Sequence, residues 1–163
     1  NILKAVHMLT RCLKKGCKVV LFGNGGSASD CQHIAAELMG RFYRDRRPLP
    51  AISLTTDTSL LTAISNDYEF SRSFSRQVEA IGQKGDIAIG ISTSGNSKNV
   101  IEAIKAANKK GLGTIVLTGK DGGKLARIAQ LAIKVPSKDT PRIQEAHIMI
   151  GHIICQLIEE AFL

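Results

Sequence analysis

The sequence predicts an α/β fold, a three-layer sandwich in which a five-stranded parallel sheet is covered by helices on both faces. Short β-branched apolar runs alternate with helical patterns along the whole chain. The run at 86–91 is apolar without alternation, which is typical of a strand buried on both faces. Right-handed crossovers between parallel strands favour the flavodoxin-like strand order 2-1-3-4-5.

The elements are separated by glycine, proline and capping residues. The first helix, 2–15, ends at Lys14-Lys15-Gly16, a common C-terminal signature. The predicted strands are 18–22, 51–54, 86–91, 114–117 and 131–135. The later predicted helices are 27–39, 59–64, 70–81, 99–110, 124–128 and 141–162, with a turn at Asn66-Asp67.

Composition and charge narrow the function classes. No apolar run reaches membrane-spanning length and no signal-peptide pattern occurs, so we expect a cytoplasmic protein without membrane contact. The net charge of +8 favours anionic ligands, but aromatic residues make up only 4% of the chain, which argues against nucleic acid as a partner. We interpret the cluster of Arg41, Arg44, Arg46 and Arg47 as a solvated loop before Pro48.

The cysteine pattern indicates the redox state of the thiols, and the first residues indicate whether the N-terminal helix is complete. The four cysteines form no Cys-x-x-Cys pair, and Cys31 and Cys155 lie in apolar helical patterns, so we expect reduced thiols. The 163 residues are enough for one domain. Because Asn1 already lies inside a helical pattern, we expect the N-terminal helix to be incomplete.

Residues 18–38 join a buried strand, a glycine-rich turn and a helix. The turn at 23–27 places free backbone N–H groups at a helix start, which makes an anion site. His33 and Glu37 are four apart and share one helix face, where they suit metal binding or acid–base chemistry. The turn also fits a relaxed dinucleotide fingerprint, but no acidic residue ends the second strand and no Gly-Lys-Ser/Thr occurs. Sugar-phosphate binding needs only the glycine turn.

A second unusual loop follows the third strand. Its hydroxyls belong to Ser92, Thr93, Ser94 and Ser97, just before a helix. Hydroxyl and N–H groups at a helix start bind phosphate, whereas helix capping, the alternative interpretation, needs only one hydroxyl. In the order 2-1-3-4-5, strands one and three are neighbours, so both loops are expected at one crevice.

The C-terminal helix is strongly apolar, yet it contains Gln144, His147 and His152. Either histidine alone is more often a core residue, but together with Glu37 they indicate a metal or catalytic cluster. Apolar residues cover more of this helix than one face of a sheet can bury. We therefore expect a homo-oligomer whose helices share a core.

Five stretches together resemble the phosphoheptose isomerases, the sedoheptulose 7-phosphate isomerases of the sugar-isomerase (SIS) domain superfamily. They are FGNGGSA at 22–28, QHIAAEL at 32–38, ISTSGNS at 91–97, LTGKDGG at 117–123 and RIQEAH at 142–147. The resemblance covers essentially the whole chain. It implies an SIS domain over 1–163 and a homotetramer with active sites between subunits.

The resemblance also implies a zinc ion in each subunit and a sugar-phosphate substrate. The implied zinc ligands are His33, Glu37, Gln144 and His152. The implied substrate contacts are Asn24, Gly25, Gly26, Glu37, Asn66, Asp67, Ser92, Thr93, Ser94, Ser97 and Gln144. The implied product is D-glycero-D-manno-heptose 7-phosphate, a precursor of ADP- or GDP-heptose for lipopolysaccharide or related glycans.

An aldose–ketose interconversion through an enediol needs a base, an acid and a cation near the two oxygens. We expect Glu37 to act as the base and His152 as the acid. If the base is another group, His147 is the reserve candidate. Whether Glu37 is a metal ligand, the base or both stays open. Gln144 and His152 are about 12 Å apart along a straight helix, so both reach one ion only if it lies between them or if Gln144 sits at an unwound helix start.

Two other functions stay open for a chain of this pattern. One is a non-enzymatic SIS tetramer that binds the bacterial replication initiator; that relative lacks residues equivalent to Glu37 and His152, and this chain has both. The other is a different sugar-phosphate isomerase.

Overall fold

The five strands of the computed structural model, which describes residues 1–163, form one parallel sheet in the order β2-β1-β3-β4-β5. They are β1 Val19–Gly23, β2 Ala51–Ser53, β3 Ile87–Ser92, β4 Gly113–Thr118 and β5 Leu131–Lys134. Every pairing between neighbouring strands is parallel. The predicted fold class and strand order are therefore confirmed.

Helices cover both faces of the sheet. They are α1 Ile2–Lys14, α2 Gly26–Met39, α3 Thr58–Asp67, α4 Ser75–Ile81, α5 Lys98–Lys110, α6 Leu125–Ile128 and α7 Thr140–Glu160. One buried cluster packs α1, α2 and α7 against the sheet, and the other packs α4, α5 and α6 against its opposite face. Because side chains alternate along a strand, Val19 and Leu21 of β1 enter the first cluster while Val20 and Phe22 enter the second.

Two local predictions are wrong. Asn66 and Asp67 form the last turn of α3 rather than a turn between elements. The Asp57 side chain accepts a hydrogen bond from the Leu60 N–H (2.9 Å) and starts α3, which then continues through the Asn-Asp pair.

The second wrong prediction is the continuous helix 70–81. A 3-10 turn at Phe70–Arg72 precedes α4, which begins only at Ser75. The Ser75 hydroxyl donates to the Arg72 carbonyl, and the Gln77 amide donates to the Ser73 carbonyl at 2.8 Å. Such side-chain bonds to the backbone compete with regular helical pairing.

Three of the four cysteine side chains lie in the interior of the protein. All four cysteines are free, and Cys12, Cys31 and Cys155 are buried. Burial raises the pKa of Cys12 to about 12, which keeps its thiol protonated. Among the seven helices, none combines the length and apolar character that a bilayer crossing requires.

The carboxyl ends of β1 and β3 lie side by side, with Gly23 opposite Ile91. The strands approach closely here, since a Cβ added to Gly23 would lie 2.9 Å from the Ile91 carbonyl oxygen. The glycine turn after β1 and the serine loop after β3, residues 92–97, therefore start from one point of the sheet edge.

Gly90, in the middle of β3, leaves no room for a methyl group. A Cβ there would lie 2.9 Å from Val100 Cγ1, 3.2 Å from Phe22 Cε2 and 3.3 Å from Ile104 Cδ1. We expect Gly90→Ala to lower the free energy of unfolding by about 1–3 kcal/mol because the core is overpacked. Urea unfolding followed by circular dichroism at fixed protein concentration measures this, and an unchanged midpoint would contradict it.

Candidate functional site

Three of the candidate metal ligands meet between α2 and α7. His33 Nε2 lies 3.0 Å from His152 Nε2 and 3.1 Å from Glu37 Oε1. One ligand atom from each of the three residues lies within 4.8 Å of the other two. We call His33, Glu37 and His152 the trio. Two imidazoles and a carboxylate at this spacing are typical of a site for a divalent transition metal.

The two helices carrying the trio approach closely because Gly151 of α7 has no side chain. A Cβ there would lie 2.8 Å from Ile34 Cδ1 on α2. Gly151 and Ile34 directly adjoin His152 and His33 in sequence, so this contact brings the two imidazoles to the same level. The trio therefore depends on a glycine at the crossing.

Gln144, the fourth residue in the implied ligand set, lies at a different level of α7. It contacts Gly26, where an added Cβ would lie 2.5 Å from Gln144 Nε2. Gly26 precedes His33 by seven residues, or about 10 Å along the axis of α2. The chain thus places Gln144 beside the glycine turn, and its role as a zinc ligand stays a prediction.

Asp30 belongs to the surroundings of the trio and is not among the residues that the sequence predicts for the site. Its Oδ2 is buried without a hydrogen-bond partner. Burial raises the pKa of this carboxyl, against the opposing effect of the nearby His33 and His152. The signal was present, since Asp30, His33 and Glu37 follow one another at spacings of three and four on one helix face.

The glycine turn and the helix after the serine loop are bridged by two amides. Asn24 Nδ2 donates to Asn99 Oδ1 (2.9 Å), and Asn99 Nδ2 donates back to Asn24 Oδ1 (2.8 Å). Gly25 has a φ of 56°, a left-handed conformation that favours glycine. The turn is therefore held in a fixed shape, with exposed backbone at Gly25 and Gly26.

The serine loop holds its hydroxyls together. Ser92 Oγ lies 2.9 Å from Ser97 Oγ and 3.5 Å from Ser94 Oγ. Ser97 is the N-cap residue of α5, but its side chain makes no capping hydrogen bond. Helix capping therefore does not explain this hydroxyl, which favours the phosphate interpretation.

Residues 117–123 pack against the serine loop. Gly95 packs directly on Gly122 and Gly123, and its carbonyl accepts a hydrogen bond from the Leu125 N–H at 3.0 Å. A pocket of about 300 Å³ opens beside the loop. It is lined by Thr93, Ser94, Gly119, Lys120, Asp121, Ser137, Lys138, Thr140 and Ile143. Its two lysines were not among the candidate residues, and they add positive charge next to the hydroxyls.

The candidate residues Asn66 and Asp67 belong to α3 rather than to the glycine turn or the serine loop. Both are exposed at the end of α3, where Asn66 Nδ2 donates to Asp67 Oδ1 at 2.9 Å, and no hydrogen bond joins them to either loop. Asp67 instead lines a mostly apolar pocket of about 510 Å³ together with Leu60 and Tyr68.

His147 is a core residue. Its ring is 0% exposed, and its Nε2 lies 3.2 Å from the Thr118 carbonyl oxygen. Burial lowers the pKa of His147, although that hydrogen bond opposes the change. Its burial at the end of β4 favours the structural interpretation over a reserve catalytic role.

The interpretation of the arginine cluster as solvated is wrong for one member. Arg41, Arg44 and Arg47 are exposed, but the Arg46 guanidinium is buried and donates to the Glu37 carbonyl at 2.7 Å. A run of charges does not reveal which side chain turns back onto a helix end.

Comparison with known proteins assigns a family. A sequence model of the SIS domain matches residues 1–119. The phosphoheptose isomerase of Aquifex aeolicus is 59% identical over 160 residues, which cover 98% of this chain and 84% of that protein. Solved phosphoheptose isomerase structures from Neisseria gonorrhoeae and Francisella tularensis align with TM-scores of 0.93 and 0.94 at 48% and 39% identity. Each alignment covers 98% of this chain and 85% of the other.

The buried His147 predicts a pH dependence of stability. The ordinary pKa of 6.5 applies to the unfolded chain, and the folded pKa is lower, so the unfolded state binds the extra proton. The stabilisation from a neutral His147 is complete above about pH 6.5 and is lost as the pH falls through the folded pKa.

The measurement compares the wild type with His147→Gln between pH 8 and pH 5.5. We expect the difference in unfolding free energy between them to shrink on acidification, by at most about 1.4 kcal/mol per pH unit. The other histidines are present in both proteins and cancel. Parallel stability curves would refute this explanation.

Proposed function

Because the chain belongs to the phosphoheptose isomerases of the SIS domain family, we propose that it converts sedoheptulose 7-phosphate to D-glycero-D-manno-heptose 7-phosphate. The reaction is an aldose–ketose isomerisation, which moves a proton between C1 and C2. The product would enter ADP- or GDP-heptose synthesis for lipopolysaccharide or related glycans. The observation that carries the proposal is the trio, which lies two turns along α2 from the glycine turn.

Glu37 is the proposed base and His152 the proposed acid. Glu37 Oε1 faces His33, whereas its other carboxylate oxygen makes no hydrogen bond and is free to accept the proton from carbon. His152 is half-buried on the facing helix, and in this proposal its imidazole exchanges protons with the substrate hydroxyls through the ring nitrogen that the metal leaves free. Removal and return of the proton by these groups passes through a cis-enediol.

The trio also fits a zinc ion, and His33, Glu37 and His152 would hold it. Two imidazole nitrogens and a carboxylate are ordinary zinc ligands, and the unpartnered Oδ2 of Asp30 adds negative charge close by. When bound, zinc supplies Lewis-acid polarisation of the substrate carbonyl. Gln144 is a further proposed ligand, although its contact with Gly26 supports a role in substrate binding more directly.

The phosphate is proposed to bind the serine loop. Ser92, Thr93, Ser94 and Ser97 offer hydroxyls at the start of α5, and Lys120 lines the pocket beside them. The exposed backbone at Gly25 and Gly26 lets the sugar approach, with Asn24 held at its side by Asn99. Binding the remote phosphate positions the reacting carbons at the trio.

A homotetramer is the proposed assembly. Leu3 of α1 and Met149 and Ile153 of α7 expose apolar side chains, and helices of this kind pack against other subunits. Asn66 and Asp67, which form no hydrogen bond with the other candidates within the chain, would then contact the substrate in a neighbouring subunit's site. Free thiols support a cytoplasmic location.

The proposed base gives the direct functional test. Wild-type protein should convert sedoheptulose 7-phosphate, whereas Glu37→Gln should lose activity by about two to four orders of magnitude with an unchanged circular dichroism spectrum. Removal of metal with a chelator should abolish turnover, and added zinc should restore it. Near-normal turnover by Glu37→Gln would remove this residue from its assigned role.

The same assay separates the alternative functions. A pentose-phosphate isomerase would prefer ribose 5-phosphate over the heptulose. A non-enzymatic SIS protein would turn over neither sugar and would bind the replication initiator in a pull-down experiment.

The serine loop predicts a separate kinetic effect. Ser97→Ala removes a hydroxyl that bonds Ser92 and caps nothing, so we expect KM for the sugar phosphate to rise by about tenfold with little loss of stability. Asp57→Ala is the matched control, because that side chain does cap α3 and its loss should cost about 1 kcal/mol while KM stays unchanged. A KM for Ser97→Ala equal to that of the control would exclude a phosphate contact.

A further inference from the structure

A buried ion pair lies at the C-terminal ends of α2 and α7, the two helices that carry the trio. Arg46 Nε and Glu159 Oε1 are 3.6 Å apart, and the two side chains are only 2% and 3% exposed. Buried ion pairs contribute little to stability on average, because desolvation offsets their attraction. The position of this pair, between the ends of the two helices that carry the trio, points to a different role.

Arg46 terminates α2. Its guanidinium donates to the carbonyls of Glu37 (2.7 Å), Leu38 (2.9 Å) and Gly40 (3.1 Å). The last turn of α2 contains no basic residue of its own, so this charge from the following loop satisfies the free carbonyls and the helix dipole. One of the three carbonyls belongs to the proposed base, and Arg46 therefore holds the backbone of Glu37.

Glu159 organises the loop that follows α2. Its carboxylate accepts hydrogen bonds from three successive backbone N–H groups, those of Phe42 (2.9 Å), Tyr43 (2.8 Å) and Arg44 (3.0 Å). Burial alone would raise the pKa of Glu159, but these donors and Arg46 outweigh it and hold the pKa below its ordinary value. The carboxylate is therefore ionised when the loop is in place.

The same loop reaches the trio from the other side. Glu159 lies two turns after His152 on the same face of α7. The loop that it anchors places the Phe42 ring 5.8 Å from the His152 imidazole, measured between ring centroids. Glu37 and His152 are thus both linked to this ion pair. Glu37 is linked through its backbone carbonyl, and His152 is linked through the Phe42 ring.

We propose that Arg46 and Glu159 are positioning residues that fix the spacing between Glu37 on α2 and His152 on α7. Neither residue belongs to the trio, and both act through the groups that they hold. This inference rests on the proposed function of the trio as an isomerase and metal site.

The test uses Glu159→Gln and Arg46→Lys in the full chain, with Asp86→Asn as the matched control. Asp86 is also 2% exposed and accepts hydrogen bonds from the Lys18 and Gln83 N–H groups as well as from the Lys18 ammonium, but it lies at the opposite end of β3. The readouts are zinc affinity by competition with a chromophoric chelator, kcat and KM for sedoheptulose 7-phosphate, and Tm.

We expect both test variants to bind zinc about tenfold or more weakly and to lose kcat to a similar extent, as for other residues that orient metal ligands. KM should change little, because the serine loop is not touched. Asp86→Asn should lower Tm without changing zinc affinity or kcat.

Test variants that lower Tm alone, like the control, would overturn the inference. If Glu159→Gln does not fold, Arg46→Lys decides the question, since it keeps the charge and loses the planar fork that reaches several carbonyls. If the wild type fails to turn over the heptulose while zinc affinity still falls in the variants, the proposed function fails and the positioning role stands.

Discussion

The close parallel packing of α2 against α7 is the constraint on which the candidate site depends. Glycines on both helices permit it, since a Cβ at Gly26 would meet Gln144 and a Cβ at Gly151 would meet Ile34. These contacts fix the register of the two helices, and that register places His33 opposite His152. The geometry of the trio therefore requires glycine at two positions, 26 and 151, that contribute no side chain to the site.

The proposed anion site and the trio lie in two different regions of the molecule. Parallel strands direct the glycine turn and the serine loop to one edge, where helix starts offer N–H groups and hydroxyls to an anion. The trio lies about 10 Å further along α2. Two distinct regions suit a substrate whose charged group and reacting carbons lie at opposite ends, as in an open-chain heptose phosphate.

Much of this arrangement followed from the sequence, because it rests on local patterns. Strand order followed from alternating elements and handed crossovers, and the pairing of His33 with Glu37 followed from helical spacing. Contacts between distant parts of the chain did not follow. Arg46 looked like its exposed neighbours, since its burial depends on carbonyls at the end of α2 and on Glu159, which is more than a hundred residues away. Asn66-Asp67 carried a turn signal that the Asp57 cap overrode.

Glu159 and Asp30 both have carboxylate oxygens that are buried near the site, but only those of Glu159 have hydrogen-bond donors. Glu159 receives three N–H donors and an arginine, so its charge is neutralised within the chain. Asp30 has a buried oxygen with no donor at all, near an imidazole pair that already faces the Glu37 carboxylate. A carboxylate oxygen buried without a donor is costly, whereas a dication at the trio would offset the charge of Asp30 and Glu37 together. The missing donor at Asp30 therefore supports the proposed zinc site independently of the spacing of the trio.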